Sequence, residues 1–171
     1  VTADLDGDGT PDLAVAVRGE GKLQVTLGKG NGTFAPAMEY PTGGEPLAIA
    51  AADLDGDGRL DLAVTNTPSD PMDSSAGSVS VLLNLGDGTF ADKLDYPTDG
   101  PAAVAAADLD GDDRPDLAVA GWWAGSVTLF SNDGVGTFTD AGSHPVGFHP
   151  RSIAVADLTF DGRVDLAVAN A

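Results

Sequence analysis

Asp4, Asp6, Asp8 and Asp12 place four carboxylates within the nine residues "DLDGDGTPD", and no Lys or Arg stands among them. Like charges held this close repel unless a cation lies between them. The pattern D-x-D-x-D-G-x-x-D returns at Asp53, Asp55, Asp57 and Asp61, and again at Asp108, Asp110, Asp112 and Asp116. A fourth copy, "DLTFDGRVD", keeps Asp157, Asp161 and Asp165 but has Thr159 in place of one carboxylate. Carboxylates at positions 1, 3, 5 and 9 converge when the chain curls about a point, and Gly at position 6 supplies the sharp turn. The backbone carbonyl of position 7 (Thr10, Arg59, Arg114, Arg163) adds a further oxygen. Hard oxygen donors in this number, with no His or Cys, select Ca²⁺ over zinc or copper, and Mg²⁺ fits less well because it holds its waters in strict octahedral geometry. Up to four calcium sites are therefore expected, the Asp157 loop being the weakest. In the third loop Asp113 replaces the turn Gly, at some cost in strain. An EF-hand is excluded, because its bidentate Glu at position 12 is replaced by Val15, Val64, Val119 and Val168.

The elements that carry these loops repeat with them. The acidic starts at Asp4, Asp53, Asp108 and Asp157 are 49, 55 and 49 residues apart. Pro46, Pro101 and Pro150 each precede an acidic start by seven residues, and "GNGTF", "GDGTF" and "GVGTF" end at Phe34, Phe90 and Phe138. Tyr40, Tyr96 and His144 each follow six residues after that Phe, and each precedes a Pro. A period of this size marks a repeat architecture. Each unit divides into four short runs of β-type alternation separated by Gly, Asn and Asp turns, as in "PLAIAAAD", "RLDLAVT", "SVSVLLN" and the more polar "TFADKLDY". No apolar run is long enough to read as a helix.

Four strands per repeat of about 50 residues, graded from Ala-rich to polar, predict an all-β fold: a β-propeller of four-stranded antiparallel blades. Alanines suit the strand crowded near the axis, and the polar run suits the outer strand. A β-solenoid is the competing reading, but its coils are shorter and lack this gradient. Residues 1–171 form a single repeat array of roughly three and a half blades. Completing a ring would then require either the remainder of a longer chain or self-association.

These residues resemble the FG-GAP/VCBS repeat family, which includes the integrin α-subunit propellers. The resemblance runs over the whole chain, and "GTF" followed by a Pro-containing connection, as in "GTFAPAMEYP", is similar to the bacterial VCBS type. It implies a propeller of usually six to eight blades with calcium in the loop between the first and second strands of each blade.

The composition narrows the partners. Eight basic against 27 acidic residues give a formal charge of −19, which excludes a nucleic-acid binder and disfavours an anionic membrane surface. No apolar stretch approaches the ~20 residues of a membrane helix, so no membrane insertion is expected. With no Cys, a disulfide framework, a thiolate metal site and a Cys nucleophile are all impossible.

The connections opposite the acidic loops carry the variable material: "TPSDPMDSSAG" (67–77), "GWWAG", "YPTGGEP" and "HPVGFHP". Varying loops on a constant scaffold are the expected binding elements. Trp122 and Trp123, the only tryptophans, either pack between blades or display an aromatic platform for a sugar or peptide. His144 and His149 lack an evident third ligand and read as ordinary loop residues, while Tyr40 and Tyr96 read as closing blade junctions. The expected function is a calcium-stabilised extracellular or cell-surface module that binds protein or carbohydrate. The alternatives are a non-catalytic part of a secreted polysaccharide-degrading enzyme, or a structural spacer. Catalysis within the segment is not expected, since every Asp cluster is explained by metal and Glu20, Glu39 and Glu45 neither repeat nor pair.

Overall fold

The computed structural model describes residues 1–68 and 77–171; of the insertion at 67–77, residues 69–76 lie outside the described set. Among the described residues there is no helix, and the chain forms antiparallel sheets in strict sequence order. The first blade comprises β1 (Thr2–Ala3), β2 (Asp12–Val17), β3 (Lys22–Thr26) and β4 (Met38–Pro41). The second comprises β5 (Glu45–Ala52), β6 (Asp61–Thr67), β7 (Ser78–Leu82) and β8 (Leu94–Pro97). The third comprises β9 (Pro101–Ala107), β10 (Asp116–Gly121), β11 (Ser126–Asn132) and β12 (Phe138–Pro145). A two-stranded sheet, β13 (Pro150–Ala156) and β14 (Asp165–Asn170), follows. This is the all-β propeller-blade architecture that the repeat predicts.

The repeating prolines have a structural role at the head of each first strand. Pro46, Pro101 and Pro150 pair with Asn66, Gly121 and Asn170, and the register slips immediately after each of them. Pro cannot donate to the ladder, so a strand start followed by a bulge is where it fits. In the second blade the bulged Ala48 amide donates instead to the buried Thr65 hydroxyl at 2.9 Å.

The second strand of a blade is buried on both faces because sheets stack on either side of it. Every residue from Asp61 to Asn66 and from Asp116 to Gly121 is buried, so the strand buries both faces where the alternation read from sequence predicts one. Val15, Val64 and Val119 occupy the same place in successive blades, and the comparison isolates the effect of the neighbours. Val64 and Val119 are fully buried, whereas Val15 in the first blade is 45 % exposed. One apolar cluster joins Leu23 and Val25 of β3 to Leu62 and Val64 of β6, and a second joins Val79 and Val81 to Leu117 and Val119.

Polar and aromatic staples complete the junctions. Tyr40 meets Phe90 edge-to-face at 5.7 Å between centroids, and its hydroxyl accepts the Phe90 amide at 3.2 Å. Tyr96 repeats both contacts with Phe138, at 5.6 Å and 3.2 Å. The tyrosines thus close blade junctions. A further staple comes from the Asn at or just beyond the end of the third strand. Asn84 donates its side-chain N–H groups to the carbonyls of Leu60, in its own blade, and Leu5, in the preceding one, at 2.9 and 2.8 Å. Asn132 does the same to Pro115 and Leu54, at 2.8 and 2.9 Å. Replacing Asn132 with Ala removes the side-chain donor from two carbonyls at the blade junction. Asn132→Ala should lower the unfolding free energy by about 1–3 kcal/mol, read from urea denaturation at unchanged m-value. A loss below about 0.5 kcal/mol would show that the staple does not hold the blades.

Candidate functional site

Each acidic loop is wound by its own carboxylates. In the first, Asp4 accepts the amides of Gly7 and Gly9 at 2.8 and 2.9 Å, Asp6 accepts that of Asp8 at 3.1 Å, and Asp8 accepts that of Thr10 at 2.6 Å. Asp53 and Asp108 repeat the first pair, to Gly56 and Gly58 and to Gly111 and Asp113. Asp57, Asp112 and Asp161 accept the amides of Arg59, Arg114 and Arg163 at 2.9, 3.0 and 2.9 Å, so position 7 lies against position 5 in these loops.

The turn requires two left-handed residues rather than the one read from sequence. Position 6 has φ of 82°, 87°, 66° and 84° at Gly9, Gly58, Asp113 and Gly162. Position 4 is left-handed as well, at 78°, 77° and 86° for Gly7, Gly56 and Gly111, and at 60° for Phe160. Asp113 adopts the conformation at tolerable cost, but Phe160 is a bulky residue in a region that disfavours it, and it is 93 % exposed.

Position 9 behaves differently from the others. Asp12, Asp61 and Asp116 are buried, and each bridges two backbone amides. One oxygen takes the position-2 amide, from Leu5, Leu54 and Leu109 at 2.7, 2.7 and 3.0 Å. The other takes the amide at the end of the third strand, from Gly28, Asn84 and Asn132 at 2.7, 2.7 and 2.9 Å. Asp165 instead accepts the amides of Leu158 and Thr159, at 2.9 and 3.1 Å.

Donor atoms gather in three of the loops. Asp4, Asp6 and Asp8, then Asp53, Asp55 and Asp57, and then Asp108, Asp110 and Asp116 each bring carboxylate oxygens within 4.8 Å of one another. Oxygen-only sets of this spacing fit a hard divalent cation, with Asp12, Asp61 and Asp112 alongside. In the fourth loop Thr159 replaces the position-3 carboxylate between Asp157 and Asp161. Part of the missing positive charge comes from the chain itself, since the guanidinium groups of Arg59 and Arg114 pair with Asp57 and Asp112. These arginines were expected to contribute only a backbone carbonyl.

The electrostatics register the crowding. Desolvation, followed by the charges of Asp12, Asp8 and Asp4, holds the Asp6 carboxyl above its ordinary pKa despite the Asp8 amide. Asp110 is raised in the same way, by desolvation and then by Asp116, Asp112 and Asp108. Burial pushes Asp61 up against the pull of the Asn84 and Leu54 amides. Asp108 is lowered, chiefly by the Gly111 amide.

On the opposite face, the four-residue turn between β10 and β11 and the connection between β12 and β13 bring four aromatic rings together. Trp122 stacks on His149 with centroids 4.4 Å apart and planes 16° from parallel, and the Arg151 guanidinium carbon lies 4.2 Å from the Trp122 centroid. Trp123 meets His149 edge-on at 6.4 Å and is 56 % exposed, and Phe148 is 85 % exposed. Of the residues singled out by sequence, then, Trp122 is half-buried and packed while Trp123 is displayed. His149 belongs to the same cluster, and His144 lies exposed on β12. His149 and Arg151 were missed as partners of the tryptophans because nothing in residue type or spacing links two separate connections. The one available signal was their place in repeat positions that share a face.

The fold and the acidic hairpins define a repeat protein of the β-propeller class. The FG-GAP-like repeat matches residues 4–64, 72–119 and 108–168, and the chain belongs to that family. No curated protein sequence matches it significantly. Among solved structures it is similar to a lectin of Agrocybe aegerita, described for specific recognition of non-reducing terminal N-acetylglucosamine. The identity is 24 %, the TM-score 0.54, and the match covers 99 % of this chain and 42 % of the lectin. It is also similar to the pore of the Tc holotoxin of Photorhabdus luminescens, at 23 % identity and a TM-score of 0.55 over 98 % of this chain and 8 % of that one. The chain thus spans less than half of either protein, and at these identities the likeness establishes the fold.

The strained fourth loop is directly testable. Phe160→Gly should raise the unfolding free energy measured in EDTA by about 0.5–1 kcal/mol, less than the full left-handed penalty because Gly also loosens the unfolded chain. A loss of stability would show that the ring makes contacts that outweigh the backbone strain.

Proposed function

We propose that this chain is part of a calcium-stabilised, extracellular binding module that engages protein or carbohydrate through the face opposite its acidic loops. The observation that carries the reading is the gathering of three carboxylates within 4.8 Å in each of three successive loops. In an all-β chain of net charge −19, such cages destabilise the fold unless a cation occupies them. Asp4, Asp6, Asp8, Asp53, Asp55, Asp57, Asp108, Asp110 and Asp116 would hold Ca²⁺, with the Asp157 loop weaker for want of a carboxylate at Thr159. Bound calcium supplies positive charge that locks the hairpin, and the role assigned to it is structural.

Calcium also supports the location. Sites of extracellular modules bind at roughly 10⁻⁴–10⁻³ M, a range filled by external calcium and empty in cytosol. Among the described residues no helix is long and apolar enough to cross a membrane. Recognition is assigned to the other face because its turns vary from blade to blade and carry the exposed Trp123 and Phe148. Glycan is among the candidate ligands of this proposal, which the likeness in fold to a lectin supports.

Thermal unfolding with EDTA and with titrated calcium tests the reading. Each site held at 100 times its Kd adds about 2.7 kcal/mol, so saturation should raise the Tm by several degrees or more. The double replacement Asp55→Ala and Asp57→Ala should remove one site's share. A Tm indifferent to calcium would sink the proposal.

A further inference from the structure

Resting on the loop-face reading, we infer that Trp122, Trp123, His149 and Arg151 form a site for a saccharide that carries a carboxylate, a uronic-acid unit. Trp123 leaves more than half of its surface open, and the aliphatic face of a pyranose ring is the flat, weakly polar partner such an indole takes. The indole is held in place from below. Its Cδ1 lies 2.5 Å from where a Cβ on Gly100 would stand, so only a glycine there lets it lie down, and the Trp122 amide donates to the Gly100 carbonyl at 2.8 Å. His149 closes the other side with φ of 52°, a conformation uncommon outside glycine and one that tends to be kept where a site requires it.

Arg151 supplies the charge selection. Among the described residues Arg18, Lys22, Arg59, Lys93 and Arg114 form ion pairs, while Lys29, Arg151 and Arg163 do not. Among the described residues Arg151 has neither an ion pair nor a side-chain hydrogen bond; it rests on Trp122, 4.2 Å from the ring centroid. Stacking pre-organises the guanidinium and leaves its N–H fork for a carboxylate, the planar two-oxygen group it matches best. The acidic loops lie at the far ends of the strands, about 20 Å away, so at ordinary ionic strength their repulsion is largely screened here. A neutral sugar would leave the Arg151 fork unmatched. An acidic peptide would match the fork but not the open indole.

Both tryptophans of the chain belong to this cluster, so its intrinsic fluorescence reports on the site alone. The calcium-saturated chain is titrated with methyl β-glucuronide and, in parallel, with methyl β-glucoside. The glucuronide should shift the emission saturably and bind about tenfold or more tightly than the glucoside. Arg151→Gln should erase that preference, Arg151→Lys should keep only part of it, and Trp123→Ala should abolish binding of both sugars. All three variants should keep the calcium-dependent Tm of the parent, which separates loss of the site from loss of the fold. Equal binding of the two sugars would overturn the carboxylate assignment while leaving the loop-face reading standing. Displacement of the glucuronide by N-acetyl-glutamate N-methylamide at comparable concentration would overturn the saccharide assignment. No response to either sugar would overturn the site altogether.

Discussion

The structure depends on a buried aspartate that ends each of the first three acidic loops. Asp12, Asp61 and Asp116 each satisfy two amides that no strand pairing reaches: one at the start of the loop and one where the third strand leaves the sheet. Without such an acceptor, both amides would be buried and unpaired, at a cost of several kcal/mol per blade. The carboxylate therefore ties the first, second and third strands together at one point. The tie does not stop at the blade. The amide accepted by Asp61 belongs to Asn84, whose side chain reaches back to Leu5, and the Leu5 amide is held by Asp12. Asn132 extends the same connection from Asp116 to Leu54 and Asp61. A continuous hydrogen-bonded path thus runs from loop to loop across the blades, directly beneath the gathered carboxylates.

Much of this was legible in the residues. The spacing of the acidic loops, the "GTF" turns and the prolines set the repeat, and alternation within each unit set four strands. Tyr40 and Tyr96, each before a Pro and six residues after Phe34 and Phe90, were placed at junctions, and the structure puts each against the Phe of the following blade. Other features were hidden for physical reasons. Alternation was expected to give the second strand one buried face, but a strand between two stacked sheets has no exposed face to alternate with. The second left-handed position was masked because glycine is common in such loops, and only Phe160 shows that the backbone demands it. The part of Arg59 and Arg114 in neutralising their own loops depends on where a long side chain folds. The Trp122–His149 stack joins residues that no local pattern relates.

The two ends of the third blade differ in charge. At one end lie the loops, carrying most of the carboxylates and drawing on Arg59 and Arg114 to relieve them. At the other end of the third blade, Arg151 lies on an aromatic ring without a carboxylate partner among the described residues. A rigid antiparallel sheet between the two ends keeps them apart, so metal and ligand can act on the same blade without competing for the same side chains.

The reach of each Asn staple into the blade before it has a genetic consequence. The second or third repeat, copied whole, brings with it the Asn and Phe that grip its predecessor, and the Leu carbonyl and Tyr that its successor will grip. Duplication or loss of one such unit therefore leaves every remaining seam complete. A break within a unit, between the acidic loop and the third strand, parts the aspartate from one of its two amides. Such an array can change length readily, but only in whole repeats.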